Sequence, residues 1–422
     1  VSAGFARTFA SLSVPNYRRY FAGQTVSVTG NWMQNVAEMW LVVQLTGSGV
    51  SVGITAALQF LPIMLFGAWG GLLADRIPKR RLLMITQSLL ALPALTLWLL
   101  TVHGSVDVWM VYALVLARGC VSAIDNPARQ SFAFELVGAD KVVNGVALNS
   151  VVIQTARIVG PAAAGGVIAL IGVGPCFLIN SLSFGAMILA LRAMDPAELH
   201  APPAPAERGP GQLRQALRYV LRTPELVIPL AMMAVVGTLS YNFQVLLPLL
   251  AKFTWDGTAS TYTALAVAMG AGSVVGALVA GARGRVGPRL LVGAAFLYAA
   301  AELLVAVAPD VPLQLAALLP LGAVSVTFSA GINSALQLAV EPSMRGRVMA
   351  LYSVVFLGST PIGAPLVGWI AEVAGPRAGL LLGAVAALVA AIGGAFAYAR
   401  AAGEPVAIRE RGGRMLVEAL RR

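Results

Sequence analysis

The sequence predicts an all-α polytopic membrane protein, and three observations carry that expectation. Hydrophobic residues make up 58% of the chain and charged residues 11%, against roughly 45–50% and 25% in soluble domains. The apolar residues come in runs of about twenty, the helix length that crosses a ~30 Å hydrocarbon core. When those runs are threaded alternately across a bilayer, 25 of the 29 Lys and Arg residues fall on one side, which is the positive-inside bias. The net charge of +11 is therefore a topology signal, and a nucleic-acid partner drops out. Cys120 and Cys176 both lie inside apolar runs and predict neither a disulfide framework nor a metal site. No cleavable leader is expected, because the first apolar run is already full length and a second follows at once.

About twelve helices of the required length are expected, at roughly 17–45, 50–75, 80–102, 108–130, 140–171, 174–193, 224–251, 260–283, 288–308, 311–338, 344–373 and 378–402. In the first, Gln24, Ser27, Asn31, Gln34 and Glu38 recur at three- and four-residue intervals and so share one stripe. Hydrocarbon does not accept that stripe, since each unsatisfied polar group there costs several kcal/mol. It faces protein or a water-filled cavity. The second span ends in Asp75-Arg76-Ile-Pro78-Lys79-Arg80-Arg81, one carboxylate and four cations in seven residues. That is too short for a soluble domain and too charged for a bilayer interior, so it is a tight turn between spans. Asp107 opens the fourth span as a helix N-terminal group. Arg118 follows near mid-depth, and Asp125 with Arg129 near the far end. The fifth span carries Arg157 and then Gly160-Pro161-Ala-Ala-Ala-Gly165, small residues beside a proline that permit close helix approach and a bend.

Met194 to Thr223 is the one long polar interruption. It begins as a Pro- and Ala-rich linker and ends in a segment whose apolar residues 213, 217, 220 and 221 share a helical face, an amphipathic helix expected at the cytoplasmic surface. The chain thus divides into a first bundle (1–193), a linker (194–223), a second bundle (224–402) and a basic tail (403–422). The seventh span offers Gly237, Tyr241, Gln244 and Pro248. Arg283-Gly-Arg285-Val-Gly-Pro-Arg289 is a worn copy of the earlier charged turn, without its carboxylate. Glu302 in the ninth span is expected to snorkel or sit at an interface. The tenth repeats the polar stripe with Ser325, Ser329, Asn333 and Gln337. Pro342-x-x-Arg345-Gly-Arg347 after the tenth echoes Pro127-Ala-Arg129-Gln130 after the fourth, and Ala364-Pro365 with Gly368 echoes Gly160-Pro161 with Gly165. Duplicated halves around a central site are a transporter plan.

Taken together, several of these segments resemble one family. Gly71-x-x-x-Asp75-Arg76-x-Pro78-Lys79-Arg80 is similar to the signature loop of the major facilitator superfamily, with Pro78 in place of a second Gly. Asn16-Tyr-Arg-Arg-Tyr-Phe, Trp32-Met-Gln, Ala123-Ile-Asp125-Asn-Pro127-Ala-Arg129-Gln130 and Ala156-Arg157-Ile-Val-Gly160-Pro161 resemble its branch of enterobactin, macrolide and multidrug exporters. The resemblance covers essentially the whole chain. It implies two pseudo-symmetric six-helix bundles with spans 1, 4, 7 and 10 around a central cavity. It implies a cytoplasmic gate made by Gly71, Asp75, Arg76 and Arg80 with Asp125, Arg129, Arg345 and Arg347, where Asp75 latches the halves. In Gly160, Pro161 and Gly165 it implies the antiporter motif associated with export.

A charge at mid-bilayer costs at least ~2.5–3.5 kcal/mol on insertion scales, so buried charges are expected to be paired and functional. Glu38 lies about seven residues, or ~10 Å of helix, from the outer end of its span. Caught between desolvation and a nearby guanidinium, a carboxylate can take a proton on one side and release it on the other. Glu38 is the expected proton-coupling acid, with Arg157 or Arg118 as counter-charge; a permanent ion pair that orders the first bundle is the alternative. Gln24, Asn31, Gln34, Tyr241, Gln244, Ser329 and Asn333 are expected to line the substrate cavity, with interhelical hydrogen bonding as the alternative.

The expected function is proton-coupled export of amphipathic small molecules, such as drugs or siderophores, by alternating access. The expected setting is the bacterial cytoplasmic membrane, as a monomer with both termini inside, driven by the proton gradient with no cofactor and no metal. An importer or facilitator of the same fold, uncoupled or of symport type, is the alternative. No phosphate loop and no His-Glu-x-x-His occurs, and His103 and His200 stand alone. An ATP-driven pump and an embedded enzyme therefore fall away, and a scaffold would leave the buried charges and paired loops unexplained.

Overall fold

The computed structural model describes residues 10–200, 212–282 and 287–403. Among them every regular element is helical: α1 (Pro15–Thr46), α2 (Gly49–Arg76), α3 (Lys79–Val102), α4 (Val108–Ile171), α5 (Gly174–Arg192), α6 (Gln212–Leu221), α7 (Pro224–Leu239), α8 (Phe243–Leu249), α9 (Ala259–Ala282), α10 (Pro288–Val307), α11 (Val311–Ala339), α12 (Arg345–Gly358), α13 (Thr360–Ala374) and α14 (Pro376–Gly403). The linker segment 201–211, the 283–286 part of the worn loop with Arg283 and Arg285, and the tail from 404 lie outside the described residues.

Local chemistry sets the helix ends. Proline occupies the first turn of α1, α5, α7, α10, α11 and α13, where its missing N–H is no loss. Ser48, Asp107 and Asp310 accept from the backbone N–H of Ser51, Trp109 and Leu313 at 3.2, 3.3 and 2.8 Å, so Asp107 is the helix cap its position suggested. Gly47 ends α1 in the left-handed region at φ 59°, its N–H bonded to the Val43 carbonyl.

Ten described stretches are long and apolar enough to cross a membrane. One of them, α4, has 64 residues, or ~96 Å at the helical rise, about three bilayer cores. It is broken at Gly138, whose φ of 68° and ψ of 179° no helix contains, and so supplies the fourth and fifth spans. Long enough at 32 residues, α1 is kept out of the ten by its polar stripe. Counting both gives the expected twelve. Two spans anticipated as continuous are interrupted. The seventh stops at Ser240, restarts as α8 and closes in a π-helical turn over Leu250–Thr254, and the eleventh breaks at Ser359 between α12 and α13.

The chain forms two compact units, Val1–Ala206 with Asp256–Val267, and Glu207–Trp255 with Ala268–Arg422. The head of α9 groups with the first unit because Tyr262 stacks on Trp40 at 6.2 Å and Thr263 fills the space over Gly165. In the first unit α1 packs on α4 and α5, α2 on α4, and α3 on α5. Tyr17, Tyr20, Leu83, Phe132, Leu136, Met187 and Leu191 form its core at the end that carries Pro78. In the second unit α10 packs between α11 and α14, and α7 lies on α14. Large apolar side chains point outward, as at Trp69 (72% exposed) and Leu170 (84%), the arrangement lipid rather than water demands.

In the linker helix α6, Ala216 and Val220 are buried, and the Arg347 guanidinium donates to Gln215 at 2.7 Å. Leu217 and Leu221 are exposed.

Candidate functional site

The first unit holds a buried ion pair. Glu38 on α1 is fully buried, and its Oε2 accepts from Arg118 Nη2 on α4 at 2.6 Å. Its Oε1 accepts from Gln34 Nε2, one turn earlier, at 2.6 Å. Arg118 Nη1 donates to Asn35 at 2.7 Å, and Gln59 on α2 reaches the same Asn35 oxygen at 3.5 Å. The counter-charge is thus Arg118. Arg157 sits elsewhere, its guanidinium 5.2 Å above the Trp32 ring, a cation–π arrangement.

The polar stripe of α1 turns inward along its whole length. Gln34 Oε1 accepts from Asn180 on α5 at 2.5 Å, and Asn31 accepts from the same amide at 3.4 Å. Ser27 donates to Gln87 on α3 at 3.4 Å. Gln24 meets Asn149 at 3.5 Å through its amide nitrogen and the Arg129 guanidinium through its oxygen. Gln24 and Gln34 are 4% and 0% exposed, and here they make interhelical bonds, the alternative reading of that stripe. The reason is that α3, α4 and α5 each present a polar partner at the matching depth. Asn31 stays half-buried.

Below that ladder Asp125 and Arg129, one turn apart on α4, form a second knot. Asp125 accepts from Thr86 at 2.6 Å, Gln87 at 2.8 Å and Arg129 at 2.5 Å. Every contact of this knot lies within the first unit.

The charged turn after α2 is divided in its work. Lys79 is buried against Glu135 at 2.8 Å. Arg80 donates to the Leu191 and Arg192 carbonyls at 2.7 and 3.1 Å, satisfying the open C-terminal end of α5. Arg80 therefore caps a helix. Asp75 and Arg76 are exposed, and Gly71 is half-buried. In the second unit Arg345 is exposed and Arg347 is held by Gln215. Gly160 meets α1 at Thr29, Trp32 and Met33 without room for a Cβ, Pro161 is buried beside it, and Gly165 faces Thr263.

The comparisons with known proteins agree with this architecture. The family described as transmembrane secretion effectors, of major facilitator type, matches residues 6–407. The chain belongs to the major facilitator superfamily. It is 25% identical to the enterobactin exporter EntS of Citrobacter koseri over 372 residues, 86% of this chain and 87% of that one. It is 30% identical to the staphyloferrin A transporter of Staphylococcus aureus over 173 residues, where the match spans 40% of this chain and 43% of that relative's length. Among solved structures, the nucleoside transporter NupG superposes with a TM-score of 0.72 at 12% identity over 90% of this chain and 99% of that one. A POT family transporter does so at 0.73 with 10% identity, over 92% and 96%. At such identities the two structures speak for the fold alone. As a major facilitator protein the chain is a multi-pass membrane transporter of small molecules and not an enzyme.

In this transporter the second unit keeps its expected polar groups reachable: Tyr241, Gln244, Ser329 and Asn333 are half-buried. The Tyr241 hydroxyl donates to the Ser325 carbonyl at 2.6 Å, and Tyr241 meets Phe356 edge-on at 6.2 Å, which in turn stacks on Tyr352 at 5.9 Å. Sequence reasoning missed Asn35, Asn180, Gln87 and Glu135. Asn180 carried a signal, a lone amide within the apolar run of α5, and so did Glu135 between Phe134 and Leu136. Glu302 is corrected outright. It is fully buried and does not snorkel, because α10 is flanked by α11 and α14 and its carboxyl points into the unit.

Proposed function

We propose that this transporter is a proton-coupled exporter of amphipathic small molecules, siderophore-like or drug-like, with Glu38 as the coupling acid. The observation that carries the proposal is the Glu38–Arg118 pair, 2.6 Å apart and buried inside the first unit. An ionisable pair at such depth is costly and is a functional site by default. A proton on Glu38 removes one of the two charges and leaves Arg118 with neutral partners only. The bond that ties α1 to α4 weakens at that moment, so protonation has a differential energy with which to bias two arrangements of the bundle. In the second unit the half-buried Tyr241, Gln244, Ser329 and Asn333 supply scattered hydrogen-bonding groups among aromatics, a surface suited to amphipathic ligands, and Asn31 is half-buried in the first.

Asp75 and Arg76, exposed at the turn after α2, act as the latch, with Arg345 and Arg347 as its counterpart after α11. Asp125 and Arg129 anchor the inner half of α4 to α1 and α3. The small faces at Gly160, Pro161 and Gly165 suit the antiporter motif, and the enterobactin exporter among the relatives supports export of siderophore-like cargo. The basic residues assign both termini to the cytoplasmic side of a bacterial inner membrane, and the transporter works as a monomer.

Inverted membrane vesicles test the reading. With an inside-acid gradient they accumulate a siderophore or drug, an uncoupler abolishes the uptake, and Glu38→Gln removes the gradient dependence. Accumulation that ignores the gradient and the uncoupler would identify an uncoupled facilitator instead.

A further inference from the structure

Glu302 on α10 is the most enclosed acid of the second unit, and no expected step of transport uses it. Its side chain is fully buried, yet it makes one hydrogen bond, between Oε2 and the Ser240 hydroxyl. Oε1 is buried with no partner at all, and it lies against Gly383 of α14, where an added Cβ would collide with it. Among the described residues Glu302 makes no ion pair. The elements packed around it offer no cation: α11 contains no charged residue, α14 carries Arg377 and Arg400 only at its two ends, and α7 has Glu225 in its first turn. The titratable groups nearby are two phenols, Tyr298 one turn earlier on α10 and Tyr241, whose rings meet at 5.4 Å.

The single partner is at a telling place. Ser240 is the residue at which the seventh span breaks, between the end of α7 and the start of α8. Its backbone N–H and that of Tyr241 both reach the Val236 carbonyl, at 2.9 and 3.0 Å, and Asn242 bonds back to the Ser240 carbonyl at 2.7 Å. The Ser240 hydroxyl lies within bonding distance of both Glu302 and the Tyr298 hydroxyl, the latter at 2.9 Å. Serine and tyrosine hydroxyls each have one hydrogen to give. As a carboxylic acid, Glu302 donates its own O–H to Ser240, and Ser240 donates to Tyr298. A carboxylate would instead claim the serine hydrogen and keep an unpartnered, charged oxygen in a dry interior. A lone buried charge of this kind neutralises.

We propose that Glu302 is a proton-binding site of the second unit, a neutral carboxylic acid that fixes the break of the seventh span through Ser240. The bound ligand is a proton on Oε2. Losing it turns the Ser240 hydrogen toward Glu302 and makes Tyr298 the donor to Ser240, so occupancy of the site and the hydrogen bonding at the break change together. The site is independent of Glu38 and of the direction of transport.

Infrared spectroscopy of the full chain in lipid at neutral pH tests it without any transport measurement. The wild type should show a protonated-carboxyl C=O band that Glu302→Gln abolishes. Ser240→Ala, which keeps the acid and removes its partner, should displace that band, and it carries the test alone where the glutamine variant does not fold. A wild-type spectrum without the band, or a band unmoved by both substitutions, overturns the proposal.

Discussion

Breaking the Glu38–Arg118 pair one residue at a time has a calculable and asymmetric consequence. Both side chains are nearly or fully enclosed, at 0% and 7% exposure, so solvent cannot screen what is left behind. Removing one member of such a pair strands a charge, at a cost of about 3–5 kcal/mol. Glu38→Gln keeps the shape but leaves the Arg118 guanidinium without a counter-charge, and a guanidinium does not give up its proton. That variant should therefore lose close to the full amount. Arg118→Met leaves a carboxylate that relieves itself by taking a proton, so its loss should be smaller. The double variant Glu38→Leu with Arg118→Met replaces the pair by apolar volume and should recover much of the stability. Unfolding of the purified protein in detergent, run as a double-mutant cycle, measures the coupling directly. A coupling of ~2 kcal/mol or more is expected, and additive single effects within about 0.5 kcal/mol would refute the reasoning.

Further outcomes follow from other contacts. Asn180→Leu removes the donor for Gln34 and Asn31 in a fully buried position, and the stranded amides should cost about 1–3 kcal/mol in the same unfolding assay. Gly160→Ala drives a methyl into α1 at Trp32 and should destabilise by about 1–3 kcal/mol. Gly393→Ala on α14, with nothing within 4 Å, should stabilise by roughly 0.5–1 kcal/mol. Asp75→Asn should insert and fold as the wild type does while efflux in cells falls sharply, because the residue is exposed at the turn; unaltered efflux would remove the latch role.

The sequence made the helices legible because lipid leaves few options: runs of fixed length, punctuated by Pro, Gly, Ser and Asp, appear in the structure as capped helices. It also showed which residues share a face. It did not show what that face meets. Gln24 and Gln34 lie on the stripe that spacing defined, but Asn149 and Arg129 on α4 and Asn180 on α5 consume them. Arg118 and Arg157 looked equivalent by depth, and only the rotation of each limb of α4 decided that one reaches Glu38 while the other stacks on Trp32. Arg80 was expected at a gate, and the end of α5, distant in sequence, claims it. Glu302 was assigned to the periphery because position in the chain says nothing of how tightly α11 and α14 flank α10. The break at Ser240 has no proline or glycine beside it to announce it, whereas Gly358 and Pro361 flank the one at Ser359.

The most direct test of the central claim is the proton count. In proteoliposomes loaded with a pH-sensitive dye, substrate movement by the wild type should be accompanied by opposite proton movement in fixed ratio, and Glu38→Gln should move substrate down its gradient with no proton signal. Proton movement that persists unchanged in Glu38→Gln would contradict the account.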